Sequence, residues 1–432
     1  MNQSSTQVSV KRDIGLKKRY AAERRFRLYG LFSIFIGILF LFILLCSIVS
    51  KGYSAFTQTT INVPVYFDKN IIDPKNELAN NPQVLQLADY NLLARIALAK
   101  QLDVDLKDRR AMLEIGRMIS TDARSKLQSM LMDNPDLIGK QVNVKFLASS
   151  NIDAAYKGHI DTTIDEKNRV VTDRQLAWLN LLADKKIIFK RFNFNLFING
   201  ASSRPELAGL GVALLGSFYM IMIVLLISLP IGVATSIYLE EYARKNKFID
   251  LIEVNINNLS AVPSIVFGLL GLAVFINFFG LPRSSSLVGG LVLSLMTLPT
   301  IIIATRSALR MVPNSIRSAA LGIGASKNQM VFHHVLPLAL PGILTGTIIG
   351  LARALGETAP LLLIGMVAFV KDYPLSPMDP TTSLSVQIYM WAGNAERAFI
   401  ERTSAAIMVL LFLLIIMNLL AIFLRRRFER RW

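Results

Sequence analysis

Apolar and polar positions fall in long blocks along this chain rather than in short periods. Residues 28–50 are apolar and uncharged for about 23 residues, long enough to cross a bilayer with some tilt. No comparable block occurs in 51–205. Apolar runs return at 207–239, at 252–279 (interrupted by Asn255, Asn257, Asn258 and Pro263), at 287–305, at 341–369 and at 404–424. The pattern predicts six transmembrane helices with one large polar insertion after the first.

The insertion itself reads as a soluble α+β domain. INVPVYF (61–67), VNVKFL (142–147) and KIIFKRFNFNLF (186–197) have strand composition, and 84–102 and 173–184 have helical apolar spacing. Its charges are mixed, as on a solvated surface, and nothing in it has metal-ligand spacing or a nucleophile arrangement.

Composition agrees with a membrane protein. The chain has 432 residues, 53% hydrophobic, above the usual share for a soluble domain. The formal net charge of +17 suggests nucleic acid only until position is considered. Lys11, Arg12, Lys17, Lys18, Arg19, Arg24, Arg25 and Arg27 precede the first apolar run, and Arg425, Arg426, Arg427, Arg430 and Arg431 follow the last. Such clusters suit membrane orientation and anionic headgroups, so no nucleic acid is expected. By the positive-inside rule both termini (1–27 and 425–432) are expected in the cytoplasm and 51–205 outside it. Ser47-Ile48-Val49 is no cleavage site, so the first helix is expected to be retained.

Several chemistries drop out. Cys46 is the single cysteine, which excludes an intrachain disulfide and a cysteine metal site. His333 and His334 are adjacent and point to different faces of a helix. No Gly-x-x-x-x-Gly-Lys-Ser/Thr occurs, so the chain has no phosphate-binding loop for ATP. No catalytic residue, metal or cofactor is expected, and the chain is not read as an enzyme.

The stretch 318–360 (SAALGIGASKNQMVFHHVLPLALPGILTGTIIGLARALGETAP) is the most informative. Its first part is too polar to cross a bilayer. Ala319, Ala320, Gly324 and Ala325 give 313–336 a small-residue face, and Gly322 and Gly324 should bend or break its helix. Pro337 and Pro341 are expected to begin the next helix. The loop reads either as an ordinary interfacial hairpin or as a knob that docks into a groove on a cytoplasmic partner. Farther on, Arg353 and Glu357 stand inside an apolar run, where each charge costs about 2.5–3.5 kcal/mol on the lenient insertion scale. Their i, i+4 spacing sets them on one helical face. They either neutralise each other and fix packing, or Arg353 faces a pore and offers an oxyanion its forked donors while Glu357 keeps that site weak. Thr358 adds a hydroxyl, and Pro360 removes a backbone bond.

The first part of this stretch resembles the cytoplasmic coupling loop of bacterial ABC-importer permeases. Ala319, Ala320, Gly324, Leu336 and Pro337 match its Glu-Ala-Ala…Gly…Leu-Pro motif, while Ser318 stands in place of Glu and His334 in place of Ile. ARALGETAPLLL (352–363) resembles the phosphate-specific (Pst-type) permeases, and LPTIIIATRSALRMVP (298–313) their A-subunit branch (PstA). Sulfate and molybdate permeases share the Gly-Glu but not the Thr-Ala-Pro that follows. A-subunit members commonly carry an acidic pair where this chain has Arg306-Ser307. The likeness covers roughly 207–424; an extended branch has an insertion like 51–205.

This resemblance implies an all-α, MetI-like permease core at 206–424 forming half of a phosphate-import pathway in the inner membrane. It also implies a second permease subunit (PstC-like), two copies of a cytoplasmic ATPase (PstB-like) and an extracytoplasmic phosphate-binding protein (PstS-like). Alternatives are a permease for another oxyanion or a membrane sensor, although a sensor needs an output domain and every predicted cytoplasmic stretch is short.

Overall fold

An unbroken helix, α1 (Leu16–Gly52), runs from the basic segment through the whole first apolar run. Its apolar residues occupy every side, and their side chains are exposed, as lipid-facing residues would be. The computed structural model describes residues 15–75, 78 and 83–428. Lys11, Arg12, Arg430 and Arg431 lie outside the described residues. Residues up to Ser50 and those from Lys51 onward form separate units.

The second unit begins with the insertion, built on a three-stranded antiparallel sheet of order β2-β1-β3. The strands are β1 (Thr57–Tyr66), β2 (Gln141–Leu147) and β3 (Ile188–Phe192). Ile61, Val63 and Val65 alternate inward from β1 and meet Val144 and Phe146 of β2 in one buried core. Helices pack on this sheet, among them α2 (Tyr90–Gln101), α3 (Ser150–Lys157) and α4 (Asp173–Asp184). Two expected elements are shorter than their apolar runs. The helix predicted over 84–102 breaks before Asp89, whose carboxylate caps α2 by accepting from Leu92 N at 3.0 Å. The strand predicted over 186–197 stops at Phe192. Asn193 is fully buried there, donating to the Ala55 carbonyl at 2.9 Å and accepting from Leu196 N at 3.2 Å.

The membrane part is helical. Its elements are α5 (Gly211–Ile237), the bent pair α6 (Lys247–Ser260) and α7 (Ser264–Leu270), and α8 (Ser286–Met311). They continue with α9 (Asn314–Gly322), α10 (Leu336–Gly356), α11 (Ala359–Leu363), α12 (Leu384–Ala392) and α13 (Ala398–Phe428). Among the described residues, five helices are long and apolar enough to cross a membrane, or six if the bent pair counts as one span. That pair, predicted as one span over 252–279 with an interruption at Pro263, turns by 104° at its break. Pro263, in extended geometry, cannot continue α6.

Small residues bring the central helices together. A Cβ on Gly342 would lie 2.6 Å from Ala308 Cβ, and one on Gly346 2.1 Å from Ala304 Cβ. Gly350 continues the same stripe against Ile301. This is the close approach that small-xxx-small spacing permits between membrane helices. Between α5 and α8, Ser228 lies 3.0 Å from Thr297, and Ser236 donates to the Ile302 carbonyl at 3.0 Å.

Candidate functional site

Two regions of the second unit gather the residues singled out above. In the first, α10 ends earlier than its apolar run. Glu357 leaves the helix in extended geometry (φ −74°, ψ 133°), and the chain re-enters helix only at Ala359. The expected continuous span over 341–369 is therefore broken. Thr358 precedes Pro360, which lacks an N–H and has packed its backbone against α7: a Cβ on Gly268 would meet Pro360 Cα at 2.7 Å. Pro337 stands in the first turn of α10, as expected, whereas Pro341 lies inside the helix. The helix enters from Lys327 through a π-helical segment, Met330–Val335, which widens the turn ahead of Pro337.

These breaks change the setting of the charged pair. Arg353 stands in the last turn of α10, where the helix dipole favours a cation. Its Nε is 3.6 Å from Glu357 Oε1, an ion pair too long for a hydrogen bond. The Arg353 side chain is 46% exposed and that of Glu357 20%. Gly356 beside them has open space where a side chain would be. Ser385 at the start of α12 donates to the Glu357 carbonyl at 2.9 Å, holding the broken segment. Neither its spacing nor its neighbours marked Ser385 in the sequence.

The second region is the knob. The chain turns at Gly324, whose φ of +90° suits glycine. Ala319 and Gly324 face outward, whereas Ala320 is buried and Ala325, Leu336 and Pro337 are half-buried in its base. Large apolar residues are exposed on the knob: Ile323 is 82% exposed, and Leu321 and Phe332 are exposed as well. The small residues thus shape the knob, and larger ones that the motif does not name present its surface.

Charges brace that knob. Glu240 and Glu241 stand on a π-helical turn that prolongs α5. Glu241 receives Arg317 Nη2 at 2.7 Å, and the same guanidinium donates to the carbonyls of Val312 and Leu309 at 2.6 and 2.9 Å. Glu240 receives Arg310 at 2.8 Å and Arg306 at 3.3 Å, and Arg306 reaches Glu253 of α6 at 2.5 Å. Arg306, the departure from the acidic pair of similar permeases, is held by two carboxylates.

The insertion is tied to α13 by a separate buried cluster. Lys157 Nζ lies 2.7 Å from Asp153 and 3.0 Å from Glu401, and Arg402 is buried beside them.

Residues 228–432 match the family described as binding-protein-dependent transport system inner membrane component, and residues 13–166 match a domain of unknown function (DUF3333). A Bacillus subtilis (strain 168) protein, probable ABC transporter permease protein YqgI, is 33% identical over 218 residues, 48% of this chain and 73% of that protein. The phosphate transport system permease protein PstA of Haemophilus influenzae is 32% identical over 202 residues, 47% of this chain and 70% of that one. A solved structure of inward-facing MetNI methionine ABC transporter aligns with a TM-score of 0.40 at 18% identity, covering 51% of this chain and 97% of that one. With its apolar helices and these matches, the chain is a multi-pass inner-membrane protein and belongs to the ABC transporter permeases, the inner-membrane components of binding-protein-dependent transport systems.

Proposed function

We propose that this chain is a permease subunit of an ATP-driven phosphate importer and forms half of its translocation path. The carrying observation is Arg353: an arginine in the last turn of an apolar helix, side chain 46% exposed on the single chain and only loosely held by Glu357. A guanidinium left open in this way suits a transiting oxyanion, and the nearby carboxylate keeps the stop weak enough for release. The phosphate permeases among the relatives support the substrate. Thr358 adds a hydroxyl beside the pair, and Pro360 keeps the break in place.

In this reading the knob at 313–336 faces the cytoplasm, as do both termini, and 51–205 lies outside. Two copies of a PstB-like ATPase grip the knobs of this chain and a PstC-like partner, and a PstS-like protein delivers phosphate. Closure of the ATPase pulls on the knob, which Arg317 and Glu241 fasten to α5, and the spans move from outward-open to inward-open. Labelled-phosphate uptake in cells carrying Arg353→Gln tests this, with sulfate and molybdate as competitors. Uptake should be abolished while the complex still assembles; undiminished uptake refutes the role of Arg353, and equal competition by sulfate refutes the substrate.

A further inference from the structure

Four phenylalanines cluster where the insertion meets the membrane helices. Phe192 contacts Phe194 edge-on at 4.8 Å between centroids and stacks on Phe197 at 6.0 Å, and Phe197 stacks on Phe56 at 6.1 Å. The inner rings, Phe56 and Phe197, pack on a buried core that includes Leu210, Phe399 and Ala405, residues at the ends of α5 and α13. The level of the cluster is fixed by backbone approaches. A Cβ on Gly211, the first residue of α5, would lie 2.6 Å from the Ile198 carbonyl, and one on Gly52 2.8 Å from Ala405 N. Helix α5 therefore begins beside this aromatic group.

The outer side is uncovered. Phe194 is 65% exposed, Ile198 59% and Tyr53 61%, and Phe192 is also exposed. Phe192 ends β3, an edge strand of the sheet, and an exposed apolar edge in water invites strand pairing with another molecule. Lys190 and Arg191 are exposed immediately before it. Rings at the mouth of the spans with cations beside them have the composition of a bilayer interface anchor, where apolar groups enter the headgroup–acyl boundary and cations meet lipid phosphates.

We propose that the outer face of the 192–198 segment, with Tyr53, lies in the lipid interface and holds the insertion domain against the bilayer. The occupant is lipid rather than a protein partner because exposed Lys190 and Arg191 stand beside exposed rings at the start of α5, the pairing of cations and aromatics that an anionic headgroup boundary accepts. The proposal concerns only the insertion and goes beyond the transport reading.

The test uses the full chain in phosphatidylethanolamine–phosphatidylglycerol vesicles. In a Cys46→Ser background, Phe194→Cys, Ile198→Cys and Tyr66→Cys are each labelled with an environment-sensitive fluorophore. Tyr66 is at the far end of β1, about 30 Å from Thr57 at the usual strand rise. Brominated acyl chains should remove roughly half of the emission at positions 194 and 198 and little at 66, as expected for burial about 5–10 Å into the boundary. Quenching by aqueous iodide instead, quenching by neither agent, or equal quenching at all three positions overturns the proposal. Two independent positions guard against one variant failing to fold.

Discussion

Arg317 and Glu241 are joined through a fork: Nη2 lies 2.7 Å and Nε 3.1 Å from the same carboxylate oxygen. Their side chains are 16% and 6% exposed. This contact fastens α9 to the prolonged end of α5. Removing one partner of such a pair leaves a buried charge and costs about 3–5 kcal/mol. Glu241→Ala is expected to lower the thermal midpoint of the purified permease and to uncouple ATP hydrolysis from uptake. The exchange Glu241→Arg with Arg317→Glu should restore part of both, which a double-mutant cycle will measure.

Exposed apolar residues on the knob separate surface from scaffold. Ile323→Asp should abolish co-purification of the ATPase while leaving the permease melt unchanged, since Ile323 is 82% exposed. Ala320→Asp should instead lower the melting temperature, because it puts a carboxylate into a site that is 4% exposed. Equal effects of the two on both readouts would remove the distinction.

At the helix break, Glu357→Gln removes the carboxylate beside Arg353, which on the proposed function competes with a transiting anion. Phosphate uptake at saturating substrate should fall several-fold while assembly is kept, as expected when a weak stop becomes a tight one. Uptake equal to that of the unaltered chain would assign Glu357 to packing alone.

The contact between α8 and α10 gives a packing prediction. Gly346→Ala sets a methyl 2.1 Å from Ala304 Cβ and should destabilise by about 1–3 kcal/mol, read as a lower melting temperature. Ala304→Gly in the same chain should restore most of the loss.

At the junction, Lys157→Met removes the cation that bridges Asp153 and Glu401 and leaves Arg402 to offset both carboxylates. Limited proteolysis should then cut the links between the insertion and the membrane helices faster, at unchanged membrane insertion.

Local patterns carried much of this fold in the sequence. The apolar runs announced most membrane helices, and the strand-like composition of 61–67 announced the central strand. Asp89 and Asn193 ended elements through their own side-chain bonds, a signal that composition averages away. The break after Gly356 was hidden because the apolar run continues through it and Pro360 alone allows either a kink or a stop. The pairing of Glu240 and Glu241 was hidden for another reason: Arg306, Arg310 and Arg317 lie 66 to 76 residues away. The structure shows that these charges answer one another across two helix ends. Of the knob residues, Ala319 and Gly324 could be placed from the motif, but Ile323 became visible as part of the surface only once its exposure was known.

The glycine stripe of α10 also bears on how the core can move. Interlocked side chains make helices shift in whole steps, since each knob must clear a ridge before it finds the next hole. Gly342, Gly346 and Gly350 offer no such teeth to Ala304, Ala308 and Ile301. Along this line the backbone of α10 meets methyl groups, and a shift of α10 on α8 has few rotamers to reset there. A surface of that kind behaves as a plain bearing, and a single bulky residue on it would act as a brake.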